Sequence, residues 1–255
     1  MALGLAGLGV LSVIYHSFAL VWQPVPEAFP HRELLATVSG CILVLGGIGM
    51  LFSRSARWAT LAMAILVSSW LPLQVGLSLW RSPAEVSAWT TLAETVILMA
   101  GGWILFRSLM RERIGAEPKA DSVSPYNRAF QLAFAAAVSA ICVSHFVFAL
   151  SNPAKVPAWI PFYVGLTFLT GVAHLAAGCG IILRTAARLA ATLEATMIGL
   201  FALVLHVPLI AIQPTNRVYW TTLFIATACS GGCFVVASSI PQASPAPRLR
   251  AASGV

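Results

Sequence analysis

Residues 129–150 read AFQLAFAAAVSAICVSHFVFAL, a stretch without a single Asp, Glu, Lys or Arg. An α-helix needs about 20 apolar residues to cross the ~30 Å hydrocarbon core of a bilayer. Only a helix or a closed barrel can satisfy its own backbone N–H and C=O groups there. The run is long and continuous, whereas barrel strands are short and alternate. Outward from it, similar runs occupy 2–22, 34–53, 58–80, 88–106, 159–183, 189–212 and 218–239, and most of the charge falls in the breaks between them. The whole chain of 255 residues agrees, with 59% hydrophobic residues, 9% charged and a mean hydropathy of +0.87. A soluble domain carries about 25% charged residues, so a soluble, a disordered and a collagen-like chain are all excluded. The expectation is an all-α membrane protein with eight transmembrane helices. The run at 2–22 is read as a true span and not a secretion signal, because no basic region precedes it and it has a counterpart later in the chain.

Lys and Arg set the orientation of such a protein. With the N-terminus in the cytoplasm, that side holds Arg54, Arg57, Arg107, Arg111, Arg113, Lys119, Arg128, Arg184, Arg188, Arg248 and Arg250. The other side holds only Arg32, Arg81, Lys155 and Arg217. Both termini are therefore expected in the cytoplasm, with the chain in a bacterial inner membrane, a setting that the alanine-rich composition also fits. The net charge of +7 is read as this topology signal. No basic cluster marks a nucleic-acid surface, and membrane lipid is the expected surrounding partner.

The chain is written twice. At a shift of 131 residues, Val25 and Pro26 fall on Val156 and Pro157, Pro30 on Pro161, and Gly40, Gly47 and Gly49 on Gly171, Gly178 and Gly180. Ala56 and Arg57 fall on Ala187 and Arg188, Pro83 on Pro214, Gly101 on Gly232, and Trp89-Thr90-Thr91-Leu92 on Trp220-Thr221-Thr222-Leu223. At 130, Phe18-Ala19-Leu20 falls on Phe148-Ala149-Leu150, and at 129, His16 falls on His145. One register held across several spans implies two tandem parallel four-helix bundles, a first unit at 1–107 and a second at 129–240. A cytoplasmic linker at 108–128 joins them, and the Pro-, Ser- and Ala-rich tail at 241–255 is expected to be disordered. The glycines seven residues apart share a helix face, where small residues let helices approach closely in lipid. Trp89 and Trp220 are placed at the membrane interface.

The second unit resembles the DoxX-like family of four-span membrane proteins. The resemblance rests on His145-Phe146, Phe148-Ala149, Val156-Pro157, Trp159, Pro161, Thr170-Gly171, Ala173, Ala176-Ala177-Gly178, Gly180, Arg184, Arg188, Ala190-Ala191 and His206-x-Pro208. It covers 129–240 well and 12–106 more weakly, so the chain resembles a fused pair of such units. What it implies is a membrane subunit for quinone-linked or thiol-linked redox chemistry, since some members belong to a thiosulfate:quinone oxidoreductase. A partner oxidoreductase is implied with it.

Ionisable groups at membrane depth default to functional candidates. They are His16, Glu94, His145, His174, Glu194 and His206. Under the repeat, His174, Glu194 and His206 match Leu43, Met63 and Val75, so the second unit carries most of the unduplicated polarity. Counting ~1.5 Å per residue from the flanking arginines puts His145 and His206 at similar depth near the outer leaflet. The same count puts His174 about midway and Glu194 ~9 Å from the inner side.

Three functional readings follow. His145 and His206, with His16 as a further candidate, could hydrogen-bond a quinone head group while His174 and Glu194 relay a proton, as a group titrating near neutrality can. Two histidines at one depth could instead ligate haem b. Third, Glu194 or Glu94 could be a general acid in a membrane-embedded isomerase or cyclase acting on an isoprenoid or sterol-like lipid, since burial favours a neutral, proton-donating carboxyl. Against all three stands a structural role, helices held together by interhelical hydrogen bonds in a non-catalytic assembly or transport protein. Cys41, Cys142, Cys179, Cys229 and Cys233 lie in spans without a C-x-x-C pattern and read as small hydrophobes. No zinc-ligand cluster is legible, so no metal is expected.

Overall fold

A computed structural model describes residues 1–113, 115, 124–151 and 159–241. The tail beyond 241, most of the linker between 114 and 123, and Val156 and Pro157 lie outside the described residues. The described chain is all helix and turn, with no strand. Its helices are α1 (Ala2–Ile14), α2 (Arg32–Gly49), α3 (Ala56–Leu79), α4 (Val86–Arg113), α5 (Pro125–Ser151), α6 (Tyr163–Ile182), α7 (Ala187–Ile212) and α8 (Arg217–Ser238). Seven of them, α2 to α8, are long and apolar enough to cross a membrane.

The apolar surface points outward. Leu45, Leu150 and Leu203 are 71%, 76% and 65% exposed, whereas Ser12, Thr60, Gln74, Thr95 and Glu194 are buried. Water would not tolerate that distribution over so many helices, but a lipid environment does. The chain is an integral membrane protein on these grounds.

The span expected at 2–22 is not one helix. α1 has 13 residues, ~20 Å at 1.5 Å per residue, which is short of the ~30 Å core. The chain leaves the helix at Tyr15, takes positive φ at His16 (45°) and Leu20 (46°), and turns through a 3₁₀ segment at Leu20–Trp22. No Pro or Gly in residues 15–22 announces this. The reason is tertiary, because irregular backbone persists at depth where protein groups satisfy it. Arg217 Nη2 donates to the carbonyls of Ser17 (3.1 Å) and Phe18 (2.6 Å). Gln23 Oε1 accepts from the Ala19 N–H (3.0 Å), and Gln74 Nε2 donates to the Trp22 carbonyl (2.9 Å).

The third long helix of each half is also irregular. α3 has Pro72 inside it and widens to a π-helical turn at Gln74–Leu79. α7 widens at Ala202–His206, just before Pro208. Such turns absorb the backbone disturbance of a proline and recur at functional sites.

Helices adjacent in sequence pack on one another from α1 to α8 within each half, and α4 packs on α5. The halves then meet through α1 on α8, α5 on α4, and α4 on α8. Among the described residues, neither α1 with α4 nor α5 with α8 forms an extensive face. Each half is thus an open arc whose gap is filled by the last helix of the other. At the centre, a Cβ added to Gly101 would lie 2.7 Å from the Gly232 Cα. These glycines are equivalents in the repeat, and no larger residue fits between the two backbones.

Candidate functional site

His145, His174 and Glu194 come from three consecutive helices, α5, α6 and α7. Gly171 stands three residues before His174 along α6 and Gly178 four beyond it, on the same helix face. A Cβ on Gly178 would meet the Ala135 carbonyl of α5 at 2.7 Å, and one on Gly171 would meet the His145 Cβ at 3.2 Å. The glycines therefore bring α6 close to α5 at the level of His174. On α7 the buried positions Ala187, Ala191, Glu194, Ala195 and Ile198 form one helical stripe, which places Glu194 on the core face. Ser230 Oγ of α8 donates to the Ala195 carbonyl at 2.8 Å and holds α8 beside it.

The result is a buried imidazole–carboxylate pair. His174 Nδ1 lies 2.7 Å from Glu194 Oε1, and the two side chains are 2% and 0% exposed. The His145 ring lies against the His174 ring, centroids 4.7 Å apart, with its own Nδ1 donating to the Ile141 carbonyl at 3.1 Å. His174 Nε2 and Glu194 Oε2 are buried without a hydrogen-bond partner. An unpaired buried polar atom costs about 1–3 kcal/mol, and this pair carries two.

A groove between α6 and α7 reaches Glu194 of this pair. It has a volume of about 350 Å³ and is walled by Ala173, Ala176, Ala177, Ala190 and Leu193, with Glu194 as its polar residue. Leu189 and Leu193 on its rim are each 59% exposed, so it opens on the apolar flank of the molecule.

The other candidates lie apart. His206 sits in the π-helical turn of α7 with Nδ1 buried and unpartnered, and neither a hydrogen bond nor a ring contact joins it to His145. His16 lies at the break after α1, exposed, with Nδ1 3.1 Å from Thr37 Oγ1. Glu94 belongs to a second polar cluster, where its Oε2 accepts from Trp22 Nε1 at 2.7 Å. Close by, Gln74 Nε2 donates to Thr95 Oγ1 at 2.8 Å and Gln23 Nε2 to Ser39 Oγ at 2.9 Å. Sequence reasoning passed over Gln23, Gln74, Ser39 and Thr95 because it sought ionisable groups. A glutamine inside the apolar run Leu71–Leu79 was the available signal.

The five cysteines are free, with Cys142, Cys229 and Cys233 buried. Among the described residues no group of three His, Cys, Asp or Glu could hold a metal ion. Comparison of the chain with protein-family models, with curated proteins and with solved structures finds no match.

Proposed function

We propose that the chain is a DoxX-like integral membrane subunit, two tandem four-helix units in a bacterial inner membrane with cytoplasmic termini, supporting quinone-linked redox chemistry with a partner oxidoreductase. The observation that carries this reading is the buried His174–Glu194 pair, with two unpartnered polar atoms, whose Glu194 lines a groove open on the apolar flank. A head group on an isoprenoid tail can arrive only by that kind of route, and its oxygens suit those atoms.

A quinone supplies the electron-carrying step, exchanged with the partner; the chain supplies the place and the proton path. His174 donates its Nδ1–H to Glu194 Oε1, which fixes the tautomer and leaves Nε2 as an acceptor. A proton taken at Nε2 makes an imidazolium, and the carboxylate at Nδ1 stabilises it as a charge-assisted pair. The His145 ring packs over His174 and limits its rotation. Glu194 Oε2, the remaining acceptor, is the second contact for a hydroxyl or the exit for the proton.

The test is to purify the chain in mild detergent and to record the spectrum and lipid mass spectrum of what it retains. A stoichiometric quinone that is lost in His174→Ala supports the reading. Extracts with no bound quinone, from wild type and variant alike, overturn it. The groove also favours a second reading, an isomerase or cyclase with Glu194 as general acid toward an isoprenoid or sterol-like lipid. Turnover of such a lipid that stops in Glu194→Gln would establish that reading instead.

A further inference from the structure

The first half carries a different cleft, at the end of the molecule away from Arg54, Arg107 and Arg128. It has a volume of about 270 Å³ and lies against the π-helical turn of α3. Gln74, 1% exposed, is part of its lining, with Ser78, Arg81, Ser82 and Glu85 above it.

The orientation of Gln74 is fixed by its neighbours. Thr95 spends its hydroxyl hydrogen on the Thr91 carbonyl at 2.9 Å, so its oxygen can only accept from Gln74 Nε2. The second hydrogen of that amide goes to the Trp22 carbonyl. The amide nitrogen is thereby spent, and Gln74 Oε1 is left buried with no donor. Among the described residues, Arg81 and Glu85 have neither an ion-pair partner nor a side-chain hydrogen bond. An exposed cation and an exposed carboxylate, neither paired with a side chain among the described residues, thus rim one small cleft whose lining includes the buried Gln74, with its unpartnered Oε1.

The repeat sets Arg81 and Glu85 apart from the shared frame, whereas Gln74 also holds the Trp22 carbonyl. In the register fixed by Pro83 with Pro214 and Trp89 with Trp220, the second half has Leu205 for Gln74, Leu209 for Ser78, Ile212 for Arg81 and Asn216 for Glu85. The same helical frame is built there without the glutamine and without either charge.

We infer that this cleft binds a small zwitterion, with its anion on Arg81 and its ammonium group on Glu85 and Gln74 Oε1. The unpaired charges of opposite sign set this class: an anion alone would leave Glu85 unanswered, and an amine alone would leave Arg81. Phosphoethanolamine has the required chemistry, either free in solution or as the head group of a phospholipid.

The experiment uses the full chain in nanodiscs of phosphatidylglycerol, titrated with phosphoethanolamine, with inorganic phosphate and ethanolamine as half-ligands. Phosphoethanolamine is expected to bind at least tenfold more tightly than either half. Gln74→Leu and Arg81→Ile, which install the second half's own residues, are expected to weaken it at least tenfold. Glu85→Gln, a change at an exposed rim position, gives the same loss without risk to the fold. In a second arm, native mass spectrometry of chain taken from mixed nanodiscs reads retention of phosphatidylethanolamine over phosphatidylglycerol. Retention there without binding of the free compound assigns the site to a lipid head group. Absence of both, equal binding of phosphate alone, or wild-type binding in Glu85→Gln overturns the inference.

Discussion

His174 and Glu194 pose the question of whether a buried pair is glue or chemistry, and the two roles separate by measurement. Removing one partner of a buried pair strands the other and costs about 3–5 kcal/mol, whereas replacing both by apolar groups of similar volume is often neutral. His174→Leu and Glu194→Leu are therefore each expected to lower thermal stability strongly, and the double variant to recover most of it. If the pair is only structural, the double variant keeps whatever the wild type binds and does. Under the quinone reading it is stable and empty, which lipid extraction of the purified double variant reads directly. The sequence made both residues candidates because the repeat leaves them unmatched, but it did not show that they touch. Residue counts along straight helices separated His145, His174 and Glu194 in depth. Those helices approach closely over Gly171 and Gly178, and the bonded atoms belong to side chains that bridge the remaining offset. Counting along an axis misses both effects.

At the scale of the element, the segment Tyr15–Trp22 is where pattern and structure part. Its composition is that of a span, and the residues that interrupt it lie elsewhere in the chain, at Arg217 and Gln74. Arg217→Met removes the donor to two carbonyls and is expected to cost about 1.5–3 kcal/mol, the scale of a hydrogen bond to a charged group. Thermal unfolding monitored by circular dichroism should fall by several degrees, and an unchanged midpoint would mean that the break is held by something else. Other element features were legible. Trp89 Nε1 donates to the Pro83 carbonyl at 2.9 Å and Trp220 Nε1 to the Pro214 carbonyl at 2.8 Å. Both residues of each pair are conserved between the halves, and the bond explains why they are repeated together. His31→Ala and Phe162→Ala make a subtler comparison. These residues differ in type but are equivalents under the shift, and they open α2 and α6 at φ 54° and 53°. Left-handed backbone strains both, so glycine at either position is expected to match or exceed the alanine variant in stability, which a paired thermal melt measures.

For the whole molecule, the repeat predicts more than two similar halves. The arcs are completed crosswise, α1 on α8 and α5 on α4, around the meeting of Gly101 and Gly232. The sequence displayed the two glycines as equivalents, but nothing in a one-dimensional register says that equivalent positions meet across an axis. Two consequences follow from that geometry. A side chain at Gly101 must push α4 and α8 apart, so Gly101→Leu is expected to destabilise by at least the about 1–3 kcal/mol typical of overpacking, and Gly232→Leu by a similar amount. Because the contact is shared, the two costs should not add in the double variant, as expected for residues in direct contact. The second consequence concerns assembly. Neither half covers its own open side, so a chain cut between residues 118 and 119 should yield fragments that are unstable when expressed singly. Expressed together, they should co-purify through a tag on either one and restore the melting profile of the intact protein. Two fragments that are each monodisperse alone and do not associate would show that every half closes on itself. The crosswise packing of α1 and α5 would then carry no stability.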